Sequence, residues 1–119
     1  MKNQKTIRQS VAISGIGLHS GKRVTLTLHP ARANTGIRFQ RTDLEQPVEI
    51  EANVRNVHST TLATTISSGE VKISTVEHLM SALWAMGIDN VLCSVNGEEV
   101  PILDGSAAPF AQLIRRAGV

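Results

Sequence analysis

The stretch Ser74-Thr75-Val76-Glu77-His78-Leu79-Met80-Ser81-Ala82-Leu83-Trp84-Ala85-Met86-Gly87 carries the marks of a complete helix. Ser74 and Glu77 have the spacing of a capping box, a hydroxyl N-cap with an acid three residues on. Val76, Leu79, Met80, Leu83 and Trp84 recur at helical spacing and share one expected buried stripe. Gly87 suits the left-handed residue that ends a helix. The expected helix runs from about Thr75 to Met86. Glu77 and His78 fall side by side in its first turn. Such a pair is either an ordinary helix start or chemistry placed at one.

Upstream of this helix the chain reads as strands. Thr6 to Ile13 alternates weakly and forms an expected first strand. Gly15-Ile16-Gly17-Leu18-His19-Ser20-Gly21 then reads as a turn or bulge, where the backbone needs positive φ or close approach. Arg23 to His29 alternates cleanly, with Val24, Leu26 and Leu28 on one side, as a half-buried strand requires. Asn34-Thr35-Gly36 is a turn before a strand over Ile37 to Arg41. Polar residues from Thr42 to Pro47 lead into another over Val48 to Ala52. Thr60 to Ile66 and Val71 to Ile73 are rich in β-branched residues and are joined by Ser67-Ser68-Gly69-Glu70, a hairpin signal.

Downstream, Asn96-Gly97 lies between strand-like runs at Asn90 to Val95 and Glu98 to Ile102, which predicts a second hairpin. A second helix is expected from Ser106, with Pro109 tolerated in its first turn. Phe110, Leu113 and Ile114 share one face, Arg115 and Arg116 complement the dipole in the last turn, and Gly118 marks the stop. Strands, helix, hairpin and helix in this order predict an α+β fold: a two-layer sandwich, a mainly antiparallel sheet with two helices on one face. No repeat or linker divides the chain, so residues 1–119 read as a single domain.

Composition narrows the class. A chain of 119 residues suits one domain and buries roughly two-thirds of its unfolded surface. With 41% hydrophobic and 18% charged residues it is globular rather than disordered. The net charge of +2 is mild, and 3% aromatics leave little stacking surface for nucleic acid, despite a pI of about 9.1. Cys93 is the only cysteine, so no intramolecular disulfide forms, which fits a reducing compartment. No signal-peptide core and no apolar run of about 20 residues is present. The expectation is a cytoplasmic domain.

The chemistry centres on Glu77 and His78. A helix N-terminus carries roughly half a positive charge, which favours an ionised Glu and a neutral His. An ionised Glu can act as a general base and a neutral His can bind metal; the two belong together in metal-assisted hydrolysis. A catalytic zinc usually takes three protein ligands. His19, His29, His58 and Cys93 show no metal-ligand spacing with His78. His19 is the strongest of these, because its glycine-rich loop could approach a ligand; otherwise it is an ordinary polar loop residue. His29 ends a strand on its polar face, where solvent is expected. Cys93 reads as a buried hydrophobe. The glycines at 15, 17 and 21 lack the following helix and lysine of a phosphate loop.

Several motifs stand together in order: Gly15-Ile16-Gly17-Leu18-His19-Ser20-Gly21, Asn34-Thr35-Gly36, Arg41-Thr42-Asp43-Leu44, Ser74-Thr75-Val76-Glu77-His78-Leu79, Gly87-Ile88-Asp89-Asn90 and Pro101-Ile102-Leu103-Asp104-Gly105-Ser106-Ala107-Ala108-Pro109-Phe110. Over essentially the whole chain they resemble the N-terminal domain of the UDP-3-O-acyl-N-acetylglucosamine deacetylases, zinc enzymes of lipid A biosynthesis. The resemblance implies hydrolysis of the acetamide of a UDP-linked, 3-O-acylated glucosamine, with release of acetate. It implies two similarly folded domains with the active site between them. Glu77 then resembles the general base that activates zinc-bound water, and His78 the one zinc ligand from the first domain. Thr60 to Thr65, including Thr61, Leu62 and Ala63, resembles an insert over the site, and Leu18 and His19 would lie near it as substrate contacts.

The family's other zinc ligands, a His and an Asp four apart, and its general-acid His belong to the second domain. No His-x-x-x-Asp occurs in this sequence. The zinc site is therefore expected to be incomplete here, and the stop after Gly118 reads as a domain boundary. The expected partners are the missing C-terminal catalytic domain or a second copy of this chain. The alternative expectation is a non-catalytic interaction or dimerisation module that retains the fold.

Overall fold

The computed structural model describes residues 3–52, 57–59 and 64–119. Among them the chain forms β1 (Val11–Ile16), β2 (Arg23–Pro30), β3 (Ile37–Arg41), β4 (Val48–Glu51), β5 (Val57–Ser59), β6 (Thr65–Ser68), β7 (Val71–Ser74), α1 (Glu77–Ala85), β8 (Val91–Val95) and α2 (Ala108–Ala117). Five strands make one sheet in the order β1-β2-β8-β3-β4, and β5-β6-β7 make a second. Every pairing of neighbouring strands is antiparallel except β3 with β8. The fold is α+β, with the two helices on one face of the larger sheet.

Period-two alternation in the sequence becomes rows across this sheet. Val11, Leu28, Cys93, Phe39 and Ile50 stand opposite one another in successive strands. All but Val11 are buried. One residue along, Ala12, Thr27, Ser94, Gln40 and Glu49 form the matching row on the other face. There the His29 ring meets Ser10 Oγ at 3.2 Å and Ser94 Oγ at 3.1 Å. His29 is therefore half-buried and hydrogen-bonded rather than simply solvated.

The helices close over the apolar rows. Leu79, Ala82 and Leu83 of α1 and Phe110, Leu113, Ile114 and Ala117 of α2 are buried. Trp84 departs from the expected stripe and is 83% exposed, while Met80 only packs at the margin of the core. Gly87 ends α1 as expected, at φ 71°, with the Ile88 N–H donating to Leu83 O at 3.0 Å. Helix α2 begins two residues later than Ser106. That serine instead folds back on Asp104, donating from both N and Oγ to Oδ1 at 2.9 and 2.7 Å.

Two further expectations are corrected by long-range pairing. The first strand starts at Val11 rather than Thr6, because the preceding backbone is spent elsewhere. Lys5 O accepts from Asp89 N and Asn90 N, and Arg8 N donates to Gly118 O. The strand then continues through Gly15, where a Cβ would stand 2.9 Å from Leu103 Cδ2 and 3.0 Å from Pro101 Cβ. Glycine here permits close packing in a strand. Asn96-Gly97 turns the chain but makes no hairpin. The residues beyond it pair with Ser74 instead, in a parallel bridge at Glu99.

Arg41 interrupts an otherwise apolar row, Ile13, Leu26, Val95, Arg41 and Val48. Its guanidinium donates to both carboxylate oxygens of Asp43 at 2.8 and 2.7 Å and to Lys72 O of β7 at 3.0 Å. It thus ties the larger sheet to the smaller. The hydrogen bond from Arg41 holds the Asp43 carboxyl below the usual carboxylate range.

Phe39→Ala should destabilise the protein by about 3–5 kcal/mol through lost burial and a cavity. Glu49→Ala, on the opposite face, should stay within about 0.5 kcal/mol. Urea unfolding of both variants checks the assignment of faces. Asp43 gives a pH test. Its folded pKa lies below its unfolded value of about 3.9, so its contribution is complete above that pH and is lost as pH falls through the folded pKa. Asp43→Asn should lower the urea midpoint at pH 7 and flatten its fall below about pH 4.

Candidate active site

The entry into α1 is held from three sides. Ser74, the last residue of β7, donates from N to Glu98 O at 2.8 Å and accepts at O from Val100 N at 3.0 Å. Its Oγ accepts from Thr65 Oγ1 at 3.0 Å. Ser74 is therefore committed to strand pairing and does not cap the helix. The expected capping box is absent: the N-cap is Val76, at φ −87° and ψ −12°, with no side-chain cap. The Val76 N–H donates to Thr64 O. Between these anchors Thr75 adopts φ 62°, a left-handed conformation that is rare for a β-branched residue. It is 2% exposed, and its Oγ1 has no hydrogen-bond partner among the described residues.

Glu77 and His78 open α1, both half-buried. Glu77 Oε2 accepts from Thr64 N at 2.5 Å. This bond replaces the reciprocal contact of a capping box and fixes the carboxylate against the strand leading to β6. Among the described residues Oε1 has no hydrogen-bond partner. A carboxylate anchored at one oxygen, with no partner among the described residues at the other, is suited to take a proton. Thr61, Leu62 and Ala63, expected over this site, lie outside the described residues.

The glycine-rich loop lies on the Ser74 side of the smaller sheet. It closes through Gly17 N to Lys22 O at 2.9 Å and Gly21 N to Gly17 O at 3.0 Å. Glu99 holds it from below. Oε1 accepts from His19 N at 2.8 Å and Oε2 from Ser20 N at 2.7 Å. A Cβ at Gly17 would stand 2.5 Å from Glu99 Oε2, so only glycine leaves room for the carboxylate. His19 and Ser20 share a cleft of about 280 Å³ with Ser74 and Glu99. Leu18 stands 53% exposed beside it. Among the described residues no hydrogen bond joins His19 to Glu77 or His78.

Two acidic residues enter the site that pattern reading did not single out. Glu99 is 4% exposed. Burial pushes its carboxyl up, but the His19 and Ser20 amides, the Ser20 hydroxyl and the His19 charge together hold it below the usual range. Asp104 is held low by the Ser106 hydroxyl and then its amide. The Asp104-Gly105-Ser106 turn lies just before α2. Its Asp-x-Ser spacing was the available signal, since Asp side chains bond backbone two residues on. Glu99 had no local signal.

Cys93 lies in the core at 0% exposure, where burial pushes its thiol up. It is the buried hydrophobe expected. Among the described residues no group of three His, Cys, Asp or Glu stands together as a metal cluster. His78 offers one imidazole, a normal zinc donor, but a zinc site needs more ligands than the described residues bring together. Among these residues no helix is long and apolar enough to cross a membrane.

Residues 4–119 match the family model for UDP-3-O-acyl N-acetylglycosamine deacetylase. The chain is 58% identical over 118 residues to the UDP-3-O-acyl-N-acetylglucosamine deacetylase of Geotalea uraniireducens, covering 99% of this chain and 38% of that protein. It is 53% identical over 119 residues to the same enzyme of Methylococcus capsulatus, covering 100% and 39%. The Myxococcus xanthus enzyme is 56% identical over 117 residues, covering 98% and 37%. The chain therefore spans about two-fifths of the length of these curated relatives. With a match over nearly all its residues, it belongs to the UDP-3-O-acyl N-acetylglycosamine deacetylase family.

Proposed function

We propose that this chain forms the first domain of a cytoplasmic, zinc-dependent deacetylase acting on UDP-3-O-acyl-N-acetylglucosamine in lipid A biosynthesis. Residues 1–119 would make up that domain. Glu77 is its general base and His78 one zinc ligand. The observation that carries this reading is the pairing of the two side chains at the start of α1, with Glu77 anchored through Thr64 N.

In the reaction, water attacks the acetamide carbonyl, the C–N bond breaks, and acetate and the free amine leave. Glu77 takes the proton of the attacking water at Oε1. Thr64 N, bonded to Oε2, keeps the carboxylate aimed through proton transfer. A zinc ion, when bound, supplies Lewis acidity for this chemistry. His78 would hold it together with ligands from outside the described residues. The proton for the departing amine is assigned to a histidine of the second domain.

Leu18 and His19 are assigned to substrate contact, and Thr61, Leu62 and Ala63 to the insert over the site. The second domain of the longer relatives is assigned as the partner that completes the site. Trp84 on α1 is 83% exposed, and a large aromatic side chain left in water is suited to anchor such a partner. Pairing with a second copy of this chain is the other reading of that surface.

In the full-length protein loaded with zinc, Glu77→Gln should lower kcat by about 10²–10⁴-fold and leave metal content unchanged. His78→Ala should reduce bound zinc, read by elemental analysis. Undiminished turnover in Glu77→Gln would sink the general-base assignment.

A further inference from the structure

Glu99 is placed to act on both halves of the site at once. Its backbone lies in the parallel bridge to Ser74, with Glu98 O and Val100 N on either side of that residue. Ser74 leads through Thr75 and Val76 to Glu77. Its side chain reaches the other way and accepts from the His19 and Ser20 amides. One residue therefore joins the strand that delivers the base to the loop that carries Leu18 and His19.

We infer that Glu99 is a positioning residue, whose carboxylate fixes the 17–21 loop relative to the start of α1 and thereby sets the substrate-contact position of Leu18 and His19. The inference rests on the deacetylase reading given above. Three features of the structure support it. Glu99 is a buried residue, 4% exposed, so its charge needs hydrogen-bond partners such as these two amides. Both oxygens are used, each by a different amide, which fixes the loop in orientation as well as distance. A Cβ at Gly17 would stand 2.5 Å from Oε2 and 2.6 Å from Ser20 Oγ, so a side chain there forces the carboxylate or the Ser20 hydroxyl to move.

A carboxylate accepts at both oxygens, whereas the amide of glutamine accepts at only one. Glu99→Gln therefore keeps size and removes one of the two anchors. Gly17→Ala does the converse: it leaves the charge and pushes a methyl group against both the carboxylate and the Ser20 hydroxyl. Neither change touches Glu77 or His78.

The test uses the full-length, zinc-loaded protein with the UDP-linked 3-O-acyl-N-acetylglucosamine as substrate. Glu99→Gln and Gly17→Ala should each raise KM about tenfold or more, the scale of one lost charge-assisted hydrogen bond. kcat and zinc content should stay within about twofold. Hydrogen exchange at residues 17–22 should accelerate about tenfold or more while β8 stays protected. Unchanged KM with unchanged loop exchange overturns the proposal. So does a loss of kcat with the loop still protected. Wild-type protein without deacetylase activity refutes the parent reading and the catalytic role of Glu99 together, and loop exchange then shows separately whether the clamp itself exists. If Glu99→Gln does not fold, Gly17→Ala decides on the same criteria.

Discussion

The parallel pairing of β3 with β8 is the constraint on which the rest depends. Antiparallel neighbours can be joined by a tight turn, but parallel neighbours need a crossover that leaves the sheet and returns from the other end. Between Arg41 and Val91 the chain adds β4 at the sheet edge, builds the smaller sheet, and lays α1 across the apolar face. The crossover helix must begin at one end of the sheet. Glu77 and His78 sit at that beginning. The position of the site follows from topology before any side chain is considered.

Local signals were legible where local physics decides the structure. The alternation in Arg23 to His29 survives as the inward row of Val24, Leu26 and Leu28. The β6–β7 hairpin forms around Gly69, and Gly87 and Gly118 end the two helices. Errors arose where a distant partner outbid a nearby one. Ser74 has the right residue type and spacing for a cap, yet its backbone is claimed by the 98–100 segment and its hydroxyl by Thr65. Asn96-Gly97 turns the chain, but Glu99 finds Ser74 before it finds β8. Trp84 matches a helical stripe by number. The inward face of α1 is narrower than that stripe, and the core is filled by Leu79, Ala82 and Leu83.

The site divides in the same way. Glu77 and His78 were visible because they are adjacent in sequence and their chemistry is local to one helix turn. The association of His19 with Glu99 spans 80 residues, and no spacing rule reaches that far. Its only trace was the density of glycine around His19. The structure turns that trace into a steric requirement at Gly17.

Thr75 shows how tightly the elements constrain the short connection between them. Ser74 is held on both sides of its peptide by Glu98 and Val100, and Val76 is held by Thr64 O and by burial of its side chain. Only one residue remains to convert an extended strand into a helix start pointing back over the sheet. A left-handed residue makes that reversal in a single step, and for threonine it costs on the order of 1–3 kcal/mol. The hydroxyl, without a partner among the described residues, adds a further penalty for a buried polar atom. Such a conformation persists only if its neighbours over-determine it, and here they do. The smaller sheet holds one end, the core holds the other, and the 98–100 segment joins this connection to the glycine-rich loop. The strain at Thr75 and the clamp at Glu99 are therefore two consequences of one arrangement, in which the start of α1 is fixed from outside the helix rather than by the helix's own cap.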